Sequence, residues 1–275
     1  MIIYLDFKHL IFYIFIFFNI NMNMKKIKIY PIKEFEDECK LPRPINNNIL
    51  MDCKGDVGLF IGKICSGKSV LLQNILLRDE LLRGIHESIY LISNTAGCDD
   101  SSRFLVAEDN CRVYEKYSDK LIRDIVDAKK ELKKKDMKWD IIVADDILGS
   151  CKTNPPCELF QLATRLRHYA FNMFILVQKM KSVSPVVRTN TTFLVVFWNL
   201  YGKELDQIGE EWGNFCGDRG FVNLYEKHIQ KSKYSFMYIN FKKGIVMKNF
   251  DKILYTIDNG YEDSDSDESD SDESD

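Results

Sequence analysis

Residues Gly62-Lys63-Ile64-Cys65-Ser66-Gly67-Lys68-Ser69 spell glycine, four residues, then Gly-Lys-Ser. That spacing suits a loop that grips a triphosphate. Glycines let the backbone wrap so that its N–H groups point at phosphate oxygens. Lys68 can then reach the β- and γ-phosphates, and the Ser69 hydroxyl can ligate Mg²⁺. The apolar run Val57–Ile61 before the loop suits a strand. Val70–Leu77 after it suits a buried helix whose positive N-terminus faces the phosphates.

A second group of chemical residues lies downstream. Trp139-Asp140-Ile141-Ile142-Val143-Ala144-Asp145-Asp146 is an apolar, largely β-branched run ending in two carboxylates. The run suits a parallel strand covered on both faces. Acids at the C-terminal end of such a strand stand where an open α/β sheet binds its ligand. Asp145 is expected to hold Mg²⁺, directly or through water, and Asp146 to orient the attacking water. The next apolar run, Met173-Phe174-Ile175-Leu176-Val177, ends at Gln178. An amide there can hydrogen-bond the γ-phosphate or the water and report hydrolysis. The missing signatures narrow the class. There is no Asn-Lys-x-Asp element to read guanine and no Leu-Ser-Gly-Gly-Gln signature of transporter ATPases. Ile147–Pro156, with Gly149, Pro155 and Pro156, replaces the arginine-rich lid of a small-molecule kinase. ATP with Mg²⁺ is therefore the expected ligand pair.

Holding these groups together requires an α/β fold. The expectation is a P-loop NTPase of the added-strand type, with a mainly parallel central sheet flanked by helices. Ser88–Ile92 and Arg112–Tyr114 are expected strands between the two motifs, so a strand should intervene between the phosphate-loop strand and the acidic strand. An amphipathic helix is expected over Asp119–Lys135, with Leu121, Ile122, Ile125, Val126 and Leu132 on one face. Tyr234–Phe241 and Ile245–Phe250 pattern as a closing hairpin around Lys243-Gly244.

The 275 residues are 45% hydrophobic, enough for one large domain with appendages. The net charge of -3 hides an asymmetry, because Glu262–Asp275 holds nine acids, five serines and no base. Removing those nine from 41 leaves 32 acids against 38 Lys plus Arg, so the remainder is mildly basic and suits an anionic partner. The tail is expected to be disordered and to offer phosphorylatable serines. It serves as a solubilising segment or as a DNA mimic that competes for the chain's own basic surface. Eight cysteines at 39, 53, 65, 98, 111, 151, 157 and 216 form no CxxC pair, which argues for a reducing compartment and against zinc or a disulfide framework. Leu10–Phe18 is an unbroken apolar run, shorter than the roughly 20 residues of a membrane-spanning helix. Its Ile/Phe/Tyr/Asn mixture suggests upstream reading frame with synthesis starting at Met22 or Met24. A membrane anchor is the competing reading, and it requires residues 1–21 to be translated. The expected division is an apolar leader (1–24), an N-terminal arm (25–54), an ATPase domain (55–256) and the acidic tail (257–275).

Four ordered elements resemble the poxvirus-type DNA-packaging ATPases of the FtsK–HerA superfamily, found in large DNA viruses, virophages and related transposons. They are the Ser-Gly-Lys-Ser loop at 66–69, the strand ending Asp145-Asp146, and Arg167-His168 before a strand ending in Gln178. The fourth is Pro185-Val186-Val187-Arg188-Thr189-Asn190 running into Phe193–Phe197. The resemblance covers roughly residues 55–250. It implies an ATP-driven motor that moves double-stranded DNA into a capsid as a homo-oligomeric ring seated at a capsid or portal vertex. It implies a location in host cytoplasm or nucleus, where virus replicates or assembles, or in the virion. In such rings a neighbouring subunit inserts an arginine that stabilises charge on the transferred phosphoryl group. Arg165, Arg167 and Arg188 are the candidates, with Arg188 favoured because it belongs to the fourth element. Many related motors carry Glu where this chain has Asp146, so the backbone must bring the shorter acid closer to the water. Basic residues for DNA phosphates cluster at Lys129, Lys130, Lys133, Lys134 and Lys135, around Lys227–Lys233 and Lys242–Lys252, and at Lys152. Two other readings fit the same residues. One is a related DNA-handling ATPase of transposition or replication, and the other is a nucleotide-switched assembly protein.

Overall fold

A computed structural model describes residues 51, 53–96, 100–132, 137–147, 149, 151–152, 155–217 and 219–257. The leader, most of the arm and the acidic tail lie outside the described residues, as do Lys133, Lys134 and Lys135. Nine strands form one sheet: β1 Val57–Ile61, β2 Ile89–Ser93, β3 Cys111–Tyr114, β4 Asp140–Asp145, β5 Phe171–Val177, β6 Phe193–Phe197, β7 Phe236–Asn240, β8 Ile245–Lys248 and β9 Lys252–Thr256. Their order is β3-β2-β4-β5-β1-β6-β7-β8-β9. The first six in that order run parallel, and β7 to β9 close the sheet as an antiparallel meander.

Among the described residues there are seven α-helices: α1 Lys68–Leu77, α2 Arg103–Val106, α3 Asp119–Lys130, α4 Glu158–Leu162, α5 Pro185–Asn190, α6 Lys203–Trp212 and α7 Gly220–His228. They cover both faces of the sheet, and the strand residues alternate between two cores accordingly. Val57, Leu59 and Ile61 of β1 join Ile122 and Ile125 of α3, Phe160 of α4 and Ile208 of α6 on one face. Phe60 joins Leu71, Ile75 and Leu76 of α1 on the other. The central strands are buried on both faces, which explains why they pattern as continuous apolar runs. Gly58 makes room for this packing, because a Cβ there would fall 2.2 Å from Cζ of Phe193.

The expected added strand is present, but it is not one of the strands that separate the motifs in sequence. The strand lying between β1 and β4 is β5, and β2 and β3 lie beyond β4. Helix α3 is shorter than expected. It ends at Lys130, and Leu132 falls past its C-cap, 43% exposed, instead of joining the apolar face. Lys129 is buried, with its ammonium 2.8 Å from Asp140 and donating to the Lys138 carbonyl oxygen at 2.7 Å. It is therefore tied up inside the fold and is removed from the set of DNA-facing lysines. The hairpin of β7 and β8 forms as expected, and β9 adds an edge strand beyond it.

The start of β1 is pinned by Asn172 of β5. Its Oδ1 accepts from the backbone N–H groups of Gly55 and Asp56, and its Nδ2 donates to the Cys53 carbonyl oxygen. Asp56 also meets the Lys242 ammonium. These contacts fix the height of β1, and so the position of the loop that follows it.

Candidate active site at the C-terminal edge of the sheet

The phosphate loop continues β1 and turns directly into α1. Gly62 N–H donates to the Val177 carbonyl oxygen at 3.1 Å, so the loop leaves the sheet beside the end of β5. Gly62 is buried, and a Cβ on it would lie 2.7 Å from Ser66 Oγ and 2.8 Å from Phe197 Cβ. Lys63, Ile64 and Cys65 are exposed on the outer turn, and Cys65 takes a left-handed φ of 58°. Ser66 is buried, and its Oγ has no hydrogen-bond partner among the described residues. Gly67 has φ 101° and caps α1 without any side-chain hydrogen bond. Lys68 and Ser69 open the helix, half-buried. The first intrahelical bond runs from Leu71 N–H to the Gly67 carbonyl oxygen. The preceding amides are thus unpaired by the helix itself and suit an anion at its N-terminus.

The acids and the sensor reach the same place. Asp145 ends β4 in register with Leu176 of β5 and Ser93 of β2. Asp146 follows with a left-handed φ of 52°, and its N–H donates to the Leu176 carbonyl oxygen. That turn swings its carboxylate toward β5, where Gln178 Nε2 donates to Asp146 Oδ2 at 2.8 Å. Asp and Asn tolerate the left-handed region better than most residues, so the local backbone favours Asp146 at this corner.

Lys68 links the two halves. Its Nζ donates to the carbonyl oxygens of Gly62 at 2.7 Å and Lys63 at 3.1 Å. Burial pushes its ammonium below the usual lysine range, while the charges of Asp145 and then Asp146, and the Cys65 thiol, pull it back up. Lys68 thus feels both carboxylates, Gln178 bonds one of them, and the loop itself hangs on Val177 beside Gln178, so the four residues gather at one edge of the sheet.

The donor set also fits a magnesium ion. Among the described residues no group of three or more His, Cys, Asp or Glu side chains gathers to hold a metal alone. Mg²⁺ needs no such cage, because it takes one or two protein oxygens and completes its shell with phosphate and water. Ser69 in the first turn of α1 and Asp145 at the end of β4 are the oxygens that would hold it. The orphaned Ser66 Oγ and the uncapped helix are polar groups suited to the triphosphate beside it.

Arg188 does not join this group. It lies on α5 and pairs with Glu211 of α6. Thr192, four residues on, donates its N–H to the Val57 carbonyl oxygen at the far end of β1. Arg165 and Arg167 also lie away from the loop, around the short 3₁₀ turn that precedes β5. Arg167 packs on Gly55, where a Cβ would fall 2.3 Å from its Cγ.

Several neighbours of the loop escaped the sequence reading. Asn199 Oδ1 accepts the Lys63 N–H at 3.2 Å, and the Lys63 ammonium sits 5.0 Å from the Tyr201 ring centroid. Tyr225 accepts from Leu200 N–H and donates to the Phe197 carbonyl oxygen, holding that turn in place. The usable signal was positional, since Trp198 and Asn199 follow the C-terminal end of a parallel strand, where ligands bind.

No family model matches the chain, and no curated protein matches it. Solved structures do. The genome packaging NTPase of Sulfolobus turreted icosahedral virus 2 in complex with ATP-gammaS matches with TM-score 0.52 and 18% identity, over 75% of this chain and 100% of that one. The same NTPase with sulfate matches with TM-score 0.53 and 17% identity, over 72% and 97%. The DNA-packaging ATPase from Sulfolobus Turreted Icosahedral Virus matches with TM-score 0.53 and 15% identity, over 72% and 98%. At these identities the likeness is one of fold. The expected α/β P-loop NTPase fold is thus met, and this chain shares it with these solved structures.

Proposed function

We propose that this chain is an ATPase that translocates double-stranded DNA and packages a viral genome into capsids, working as a homo-oligomeric ring. The observation that carries the ATPase reading is the convergence of Lys68, Asp145, Asp146 and Gln178 at one sheet edge. The loop amides and Lys68 hold and neutralise the phosphates. Asp146 accepts a proton from, or orients, the attacking water, and Gln178 keeps its carboxylate aimed while contacting the γ-phosphate or the water. Ser69 and Asp145 would hold Mg²⁺, which when bound would neutralise charge on the triphosphate. Phosphoryl transfer asks for positioning and electrostatic stabilisation more than covalent help, and these residues are arranged for both.

The DNA reading draws support from the likeness to packaging NTPases and from the Pro185–Asn190 element. Arg188 is proposed to act in trans, since a residue that serves a neighbour must lie away from its own loop. A basic surface on α7, β8 and β9 is proposed to meet DNA. His228 there is held below its usual range by burial and by the charges of Lys227, Lys252 and Lys248. Phosphate contacts of this kind are indifferent to sequence and weaken with salt. A capsid or portal vertex is the proposed docking partner, and the proposed location is the viral assembly site in host cytoplasm or nucleus, or the virion. A membrane contact enters only if residues 1–21 belong to the mature protein. ATP turnover with and without duplex DNA tests the motor, and empty capsids on loss of the gene separate packaging from transposition or replication.

A further inference from the structure

The strand order sets the direction in which a bound triphosphate must lie. Asp145, Asp146 and Gln178 end or follow β4 and β5, on one side of β1, and in the proposed function they face the γ-phosphate. With the γ-phosphate on that side, the nucleoside would leave the loop toward β6 and β7, the strands on the opposite side of β1. Two exposed tyrosines stand there. Tyr201, 50% exposed, follows β6 beneath the Lys63 ammonium, in a turn fastened to the loop through Asn199. Tyr234, 56% exposed, precedes β7. A Cβ added at Gly67 would lie 3.7 Å from its Cδ1, so its ring borders the phosphate loop.

The conformation of Tyr234 is unusual. Its φ of 64° lies in the left-handed region, which a bulky side chain avoids. Trp198 meets its ring edge-on at 6.5 Å, and the Lys233 ammonium lies 4.9 Å from its centroid. A disfavoured backbone that keeps an aromatic ring exposed beside a binding loop points to use of that ring.

We propose that Tyr234 stacks the nucleobase of the bound triphosphate, with Tyr201 forming the outer wall of the same site. This rests on the nucleotide-binding reading above. Aromatic stacking recognises the flat face of a base and is lost with the ring. The test is calorimetric titration of the full chain with ATP and, separately, with inorganic tripolyphosphate, which has phosphates and no base. Tyr234→Ala should weaken ATP binding about tenfold or more while leaving tripolyphosphate binding within about twofold, and Tyr234→Phe should restore ATP binding. Tyr201→Ala should act in the same direction with a smaller effect. Equal losses for both ligands, or no loss for either, would overturn the assignment while leaving the nucleotide reading intact. A change confined to the oligomeric state would also overturn it, marking this face as a contact between copies. A wild-type chain that binds neither ligand would remove the nucleotide reading, and the base site with it.

Discussion

Gln178 Nε2 donates to Asp146 Oδ2 at 2.8 Å, joining the residue after β5 to the residue after β4. β5 lies between β1 and β4, so this bond spans the ends of neighbouring strands right beside the phosphate loop. The amide thus orients the carboxylate and, in the proposed function, faces the γ-phosphate or the attacking water. Losing it should misdirect Asp146 without disturbing the loop. Gln178→Ala is expected to lower kcat by about 10²-fold, the typical cost of one catalytic hydrogen-bond donor. KM for ATP should change little. Steady-state phosphate release across ATP concentrations gives both constants.

Gly62 is required by close approach, since any Cβ would collide with Ser66 Oγ and Phe197 Cβ. Both neighbours belong to buried residues and have little room to yield. Gly62→Ala should lower stability by about 1–3 kcal/mol through overpacking and weaken ATP binding by deforming the loop. Urea unfolding and ATP titration measure the two effects.

His86 offers a pH test of the fold away from the active site. It is 4% exposed, its ring contacts Asn172 at 3.0 Å, and its Nδ1 has no hydrogen-bond partner among the described residues. Burial lowers its pKa to about 4 from the ordinary 6.5. The unfolded chain therefore binds the proton more tightly. Stability contributed by neutral His86 is complete above pH 6.5 and is lost as pH falls toward 4, by about 3 kcal/mol. His86→Gln should flatten that portion of the pH profile, whatever its effect on stability at neutral pH. Urea unfolding at pH 7 and pH 4 checks the slope.

Arg188 can be separated from a local role by mixing variants. Arg188→Ala breaks the ion pair with Glu211 and, if the arginine acts in trans, should lower turnover by about 10³-fold or more. Asp146→Asn leaves Arg188 intact but disables its own site. In the proposed ring, an Arg188→Ala subunit with a sound active site would borrow the arginine of an Asp146→Asn neighbour. Turnover in the mixture should exceed that of either variant alone. Two inactive variants that remain inactive together would assign Arg188 a role within its own subunit.

Much of this arrangement was legible because it is local. The phosphate loop is a contiguous pattern, and β4, β5, β6 and the β7–β8 hairpin are apolar runs bounded by polar residues or glycine. What was not legible depends on distant partners. The position of β5 between β1 and β4 is a matter of sheet order, which apolar periodicity does not encode. Lys129 patterns as one of several solvated lysines, yet Asp140 and the Lys138 carbonyl draw it inside. β9 is a half-exposed edge strand without a clear alternation. Tyr201 and Tyr234 reach the loop from turns more than a hundred residues downstream, and nothing in their local sequence marks them as neighbours of Gly67 or Lys63.

The most direct test of the motor reading is phosphate release by the purified protein with and without duplex DNA, in wild type and Asp146→Asn. Asn keeps the shape and the left-handed backbone of Asp146 but cannot take a proton from water. The expected result is DNA-stimulated turnover in wild type, turnover reduced by about 10²-fold or more in the variant, and ATP binding equal in both. No turnover in wild type, or a variant that hydrolyses ATP as fast as wild type, would contradict the assignment of this sheet edge as the active site.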